Sequence, residues 1–119
     1  MSDIEQIALI SGCSSGIGFA TAVEMARNGF FVYATMRDLE NSENLKNIVN
    51  AESLSVSILQ MDVSKQETID AAIEKILQEK GRIDVLVNNA GFMRMGSLED
   101  MSMESVSYTH LTLPTNREV

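Results

Sequence analysis

Six residues that could meet an anion stand together near the start of this chain. They are Gly12, Ser14, Ser15, Gly16, Ile17 and Gly18, within the run Ser11-Gly12-Cys13-Ser14-Ser15-Gly16-Ile17-Gly18. The apolar stretch Ile7-Ala8-Leu9-Ile10 leads into the run and a helical pattern leaves it. A strand, a glycine turn and a helix in that order present backbone N–H groups and a helix N-terminus to a phosphate. Gly12 would let the strand turn sharply, Gly16 would let the backbone approach a pyrophosphate, and Gly18 would let the helix pack on the strand. The N–H groups around Ser15, Gly16 and Ile17 are the candidate donors, with the hydroxyls of Ser14 and Ser15 beside them. The spacing is G-x-x-x-G-x-G rather than G-x-G-x-x-G. The plainer reading is a tight turn, with the two serines as turn residues or an N-cap. Cys13 reads as a small apolar residue, although a helix N-terminus can lower a thiol pKa.

These residues need a frame, and length and composition limit it. At 119 residues the chain is at most one domain. Its 45% hydrophobic content suits a globular fold. Nine basic against 17 acidic residues, a net charge of −8, argue against a nucleic-acid or anionic-membrane surface. No apolar run approaches the roughly 20 residues of a membrane helix. The acidic start, Met1-Ser2-Asp3-Ile4-Glu5, does not read as a signal peptide. A single cysteine excludes an internal disulfide and suits a reducing, cytoplasmic setting. No metal is expected, because the only cysteine and the only histidine, Cys13 and His110, lack ligand spacing.

The elements follow from periodicity. Residues 4–10 read as strand one. A helix from about residue 17 to 28 places Phe19, Ala22, Val23 and Ala26 on one face, with Gly29 as its stop. Residues 30–35 form strand two, and residues 44–49 carry a short helical pattern. Strand three falls within 53–62. Ser64-x-x-Glu67 has the form of a capping box for a helix bearing Ile69, Ala72, Ile73, Ile76 and Leu77, ended by Gly81. Residues 83–87 form strand four, followed by Asn88-Asn89-Ala90-Gly91. Strands alternating with helices predict a parallel α/β sheet.

Three motifs in order then resemble the short-chain dehydrogenase/reductase family. Residues 11–18 match its T-G-x-x-x-G-I-G with serine in place of threonine. Asp62-Val63 matches its Asp-hydrophobic pair, and Asn88 to Gly91 match its N-N-A-G. The likeness covers roughly residues 4–104, and the segment from Val32 to Asp38 is most similar to hydroxysteroid- and retinol-type members. The resemblance implies a partial Rossmann fold with a parallel sheet in the order 3-2-1-4, truncated after strand four. It implies that Asp62 accepts from the adenine amino group with Val63 on the ring. Asn88, Asn89, Ala90 and Gly91 would line the cofactor ribose or brace the sheet, Gly91 by close backbone approach. The plainer reading of Asp62 is a residue at the helix entry. The family's acidic position at the end of strand two falls on Met36, and Arg37 follows with a planar fork suited to a 2′-phosphate. NADP(H) is therefore favoured over NAD(H), while neighbouring Asp38 keeps NAD(H) in view. The plainer reading of Arg37 is a solvated side chain paired with Asp38 or Glu40.

The implied function is hydride transfer between an NADP(H) cofactor and a small-molecule alcohol or carbonyl compound. The alternative is a non-catalytic dinucleotide-binding or sensor protein on the same fold. The family's catalytic Ser, Tyr and Lys are not found, since Thr112 rather than lysine stands four residues after Tyr108. Residues 106–115 resemble a translated sequencing adapter. The expectation is therefore a gene fragment, with residues 1–104 the N-terminal part of a dinucleotide-binding domain and 105–119 a non-native tail. Such a fragment would be inactive and would leave the edge of strand four unpaired and prone to aggregation. Family members commonly form dimers or tetramers, which leaves room for a homo-oligomer of a full-length protein.

Overall fold

The computed structural model describes residues 5–89 and the backbone of residues 107–110. Three parallel ladders join strands β1 (Ile7–Ile10), β2 (Phe31–Met36), β3 (Val56–Gln60) and β4 (Val85–Asn88) in the order β3-β2-β1-β4. β1 is central. All four of its residues are buried, as expected of a strand covered on both faces. Alternation along it sends Ile7 and Leu9 to one core, with Tyr33, Ile69, Ile73, Ile76 and Leu86. Ala8 and Ile10 enter the opposite core, with Ala22, Val23, Ala26, Val32, Ala34, Leu45 and Val87. Helix α1 (Gly16–Arg27) and helix α2 (Glu43–Glu52) supply the second core, and helix α3 (Gln66–Lys80) supplies the first.

Each helix follows from its sequence, with three corrections. α1 buries Gly18, Ala22, Val23 and Ala26, the stripe read from periodicity except that Phe19 is only half-buried. α2 is longer than residues 44–49 and follows a short 3₁₀ turn, Leu39–Ser42, capped by the Asp38 carboxylate on the Glu40 N–H at 3.0 Å. The capping box does not form. Lys65 is the N-cap of α3, without a side-chain cap bond. Ser64 instead turns back, and its N–H and Oγ–H both donate to Asp62 Oδ1, at 3.0 and 2.6 Å. A charged carboxylate two residues upstream competes successfully with the helix's orphan N–H groups for the Ser64 hydroxyl.

The expected bare edge of strand four is also corrected. A fifth strand, β5 (Ser107–His110), lies parallel to β4 with Val85 opposite Ser107 and Asn88 opposite His110. Main-chain pairing does not read side chains, so a short segment rich in β-formers can take an open edge.

Candidate functional site

The chain leaving β1 is pinned to both neighbouring strands. Ser11 N–H donates to Val87 O at 3.1 Å on the β4 side, and Cys13 N–H donates to Thr35 O at 2.9 Å on the β2 side. Between these bonds Gly12 adopts φ +69°, a left-handed turn that a side chain would resist. The Cys13 side chain points into the core and donates to Ile10 O at 3.3 Å. Burial pushes its thiol up to about 12, so Cys13 is a core residue and not a nucleophile.

Gly16 and Gly18 do different work. Gly16 has φ +66°, and a Cβ built there would meet nothing within 4 Å. Its surroundings are open, as a close-approaching ligand requires. A Cβ at Gly18 would fall 2.0 Å from Gly12 O and 2.6 Å from Asn89 Nδ2. Gly18 is therefore what lets α1 seat against the turn. Ser15 occupies the N-cap position in extended conformation but makes no side-chain cap bond, and the first turn of α1 holds no acidic residue. The first N–H groups of a helix have no intrahelical acceptor. The N-terminus thus keeps its donors and its positive dipole end uncompensated. Among the described residues the hydroxyls of Ser14 and Ser15 make no hydrogen bond.

A cleft of about 380 Å³ opens beside this turn. Gly12 and Ser14 line it from β1, Met36, Arg37, Asp38 and Asn41 from the end of β2, and Met61, Asp62, Val63 and Ser64 from the end of β3. It lies at the carboxyl ends of the strands, where open α/β sheets bind ligands. Arg37 is exposed and, among the described residues, has no ion-pair partner; neither Asp38 nor Glu40 holds it. The Asp62 backbone is fixed by Thr68, whose Oγ accepts from Asp62 N–H at 2.9 Å. The two bonds from Ser64 hold the Asp62 carboxyl below the usual carboxylate range, against a smaller opposing effect of burial, and Lys65 and Arg37 add a weaker attraction.

The end of β4 closes the site from the other side. Asn88 is buried, and Ser11 Oγ–H donates to its Oδ1 at 3.3 Å. Asn89 N–H donates to Ser11 Oγ at 2.9 Å, and Asn89 Nδ2 donates to Gly12 O at 3.1 Å. Both asparagines thus brace the glycine turn. Ser11 was not among the expected site residues, yet its hydroxyl ties β1 to β4. The signal was a hydroxyl residue at the first position of the glycine motif. The expected Ala90 and Gly91 lie outside the described residues. The other expected residues, Gly12, Ser14, Ser15, Gly16, Ile17, Gly18, Arg37, Asp62, Val63, Asn88 and Asn89, all stand around one end of the sheet. No group of histidine, cysteine and acidic side chains among the described residues could hold a metal ion. No described helix is long and apolar enough to cross a membrane.

Comparison with other proteins gives one answer. The short chain dehydrogenase family profile matches residues 6–112. Retinol dehydrogenase 8 of Bos taurus is 39% identical over 110 residues, covering 89% of this chain and 35% of that protein. The 17-beta-hydroxysteroid dehydrogenase type 1 of Homo sapiens is 40% identical over 107 residues, covering 85% of this chain and 32% of that protein. The chain spans about a third of the length of these curated relatives. Among solved structures, a metagenomic short-chain oxidoreductase in complex with NADP superimposes with a TM-score of 0.69 at 35% identity, over 76% of this chain and 42% of that one. An actinorhodin polyketide ketoreductase variant solved with NADPH gives 0.67 at 31% identity, over 74% of this chain and 34% of that one.

Proposed function

This chain belongs to the short-chain dehydrogenase family, and from that premise we propose that it is the dinucleotide-binding portion of an NADP(H)-dependent dehydrogenase or reductase acting on a small alcohol or carbonyl compound. The observation that carries the reading is Arg37. It leaves the end of β2 exposed and unpaired among the described residues, on the rim of the cleft that the glycine turn and Asp62 share.

The residues present fit such a cofactor. The free donors at the start of α1, with the hydroxyls of Ser14 and Ser15, would hold a pyrophosphate over Gly16. Asp62 would accept from the adenine amino group, with Val63 against the ring. Arg37 would meet a 2′-phosphate through its planar fork. Asp38, on the same rim, has one carboxylate oxygen engaged, accepting from Glu40 N–H at the 3₁₀ turn. When bound, the cofactor supplies or takes the hydride. The chain's own residues hold and orient it. No Tyr-x-x-x-Lys pair is present to move the substrate proton: Arg37 stands four residues after Tyr33, and Thr112 four after Tyr108. Residues 105–119 we read as a non-native tail.

The test is a fluorescence titration of NADPH and NADH against the chain and its Arg37→Ala variant. The substitution should weaken NADPH by roughly 1.5–3 kcal/mol, the worth of a charged hydrogen bond, and leave NADH nearly unchanged. Equal losses for the two cofactors would make Arg37 structural. The chain itself should oxidise no NADPH with aldehydes or ketones.

A further inference from the structure

The last backbone rung between β2 and β3 runs from Met61 N–H to Met36 O at 2.9 Å. Arg37 is the first residue beyond it. There the ladder is extended by a side chain: Gln60 Nε2 donates to Arg37 O at 3.1 Å. Gln60 is the register partner of Met36 and is itself exposed. On the far side of Arg37, the Asp38 cap at Glu40 N–H fixes the next turn. The main chain that carries the guanidinium therefore lies between two side-chain hydrogen bonds.

We propose that Gln60 is a positioning residue for cofactor choice, holding the Arg37 main chain so that the guanidinium faces the 2′-phosphate site. The proposal rests on the reading of Arg37 given above. Arginine's planar fork is preorganised for a phosphate, and holding the main chain that carries it in the bound geometry beforehand removes part of the ordering cost of binding. An exposed side-chain amide adds little to stability, so the effect of Gln60 falls on the geometry of Arg37. NADH, without a 2′-phosphate, does not use that geometry.

Gln60→Met keeps the length and removes the donor. In titrations of the full chain it should lower NADPH affinity about three- to tenfold, the worth of one neutral hydrogen bond, and leave NADH unchanged. In an Arg37→Ala background it should have no further effect on NADPH, because the two residues act as a unit. Thermal unfolding of each variant accompanies the titrations. A selective Arg37→Ala with an unchanged NADPH-to-NADH ratio in Gln60→Met overturns the role of Gln60 alone. A non-selective Arg37→Ala overturns the Arg37 reading and this proposal with it. Equal losses for both cofactors in Gln60→Met, or a Gln60→Met chain that no longer folds, would make Gln60 a structural residue and overturn the proposal.

Discussion

Asp62 shows how one residue is set by its immediate neighbours. Its Oδ1 takes two hydrogen bonds from Ser64, and its other oxygen takes none among the described residues. Those bonds favour the ionised form and hold the carboxyl below its ordinary range. A group whose folded pKa is depressed keeps its contribution above the unfolded value and loses it as pH falls through the folded value. As the proposed acceptor for the adenine amino group, Asp62 should therefore sustain NAD⁺ binding without loss down through the usual carboxylate range. NAD⁺ is the probe because it lacks the 2′-phosphate, which titrates near neutrality. Ser64→Ala should move the acid limb of NAD⁺ affinity to higher pH, as read by calorimetry between neutral and acid pH. An unmoved limb would mean that Ser64 does not set the Asp62 charge.

At the scale of elements, the contact between α1 and the turn after β1 leaves no room for a side chain at Gly18. Two glycines there predict different penalties for different reasons. Gly18→Ala would drive a Cβ against Gly12 O, a backbone atom that cannot swing aside, and against Asn89. The helix must shift, at a cost of about 3 kcal/mol, the upper end for overpacking. Gly16→Ala meets open space but retains φ +66°, a left-handed strain of about 1–2 kcal/mol. Urea denaturation of the two variants should rank them in that order. NADP⁺ binding should suffer in both, in Gly16→Ala because the methyl group occupies the place proposed for the pyrophosphate. A Gly18→Ala chain as stable as its parent would show that α1 seats with more freedom than this geometry gives it.

At the scale of the molecule, the sheet depends on what lies beside β4. With β5 paired along Val85–Asn88, four parallel ladders join the five described strands, each bringing sequence-distant segments together. Removing residues 105–119 would strip that strand away. The unpaired edge of β4 would then carry Val85, Leu86 and Val87, a template for association with another chain. The shortened chain should elute from size-exclusion chromatography as larger species at micromolar concentration. The 119-residue chain should elute earlier in that direction only to a lesser extent. Equal profiles for the two would show that β5 does not protect the edge.

Much of this protein was legible in its sequence because the signals were local. Ile7-Ala8-Leu9-Ile10 reads as a doubly buried strand from composition alone. The three glycines, the Asp62-Val63 pair and Asn88-Asn89 lie at fixed offsets from their strands, so the order of elements already places them at one end of the sheet. The helical stripe of Ile69, Ala72, Ile73 and Ile76 needed only a period of 3.6. Competition between partners was not legible. Ser64 and Glu67 satisfy the capping pattern, yet Ser64 spends its donors on Asp62 because the folded turn brings that carboxylate closer. Ser11 became a bridge only when β1 and β4, 77 residues apart in sequence, lay side by side. Gln60 reaches Arg37 across 23 residues through the register of β2 and β3. β5 joined the sheet because an open strand edge selects partners by main-chain hydrogen bonding, which side-chain patterns do not encode. Local sequence determined the elements and the glycine turn; only the tertiary structure decided which sequence-distant polar groups found each other, because those distances exist only once the sheet has formed.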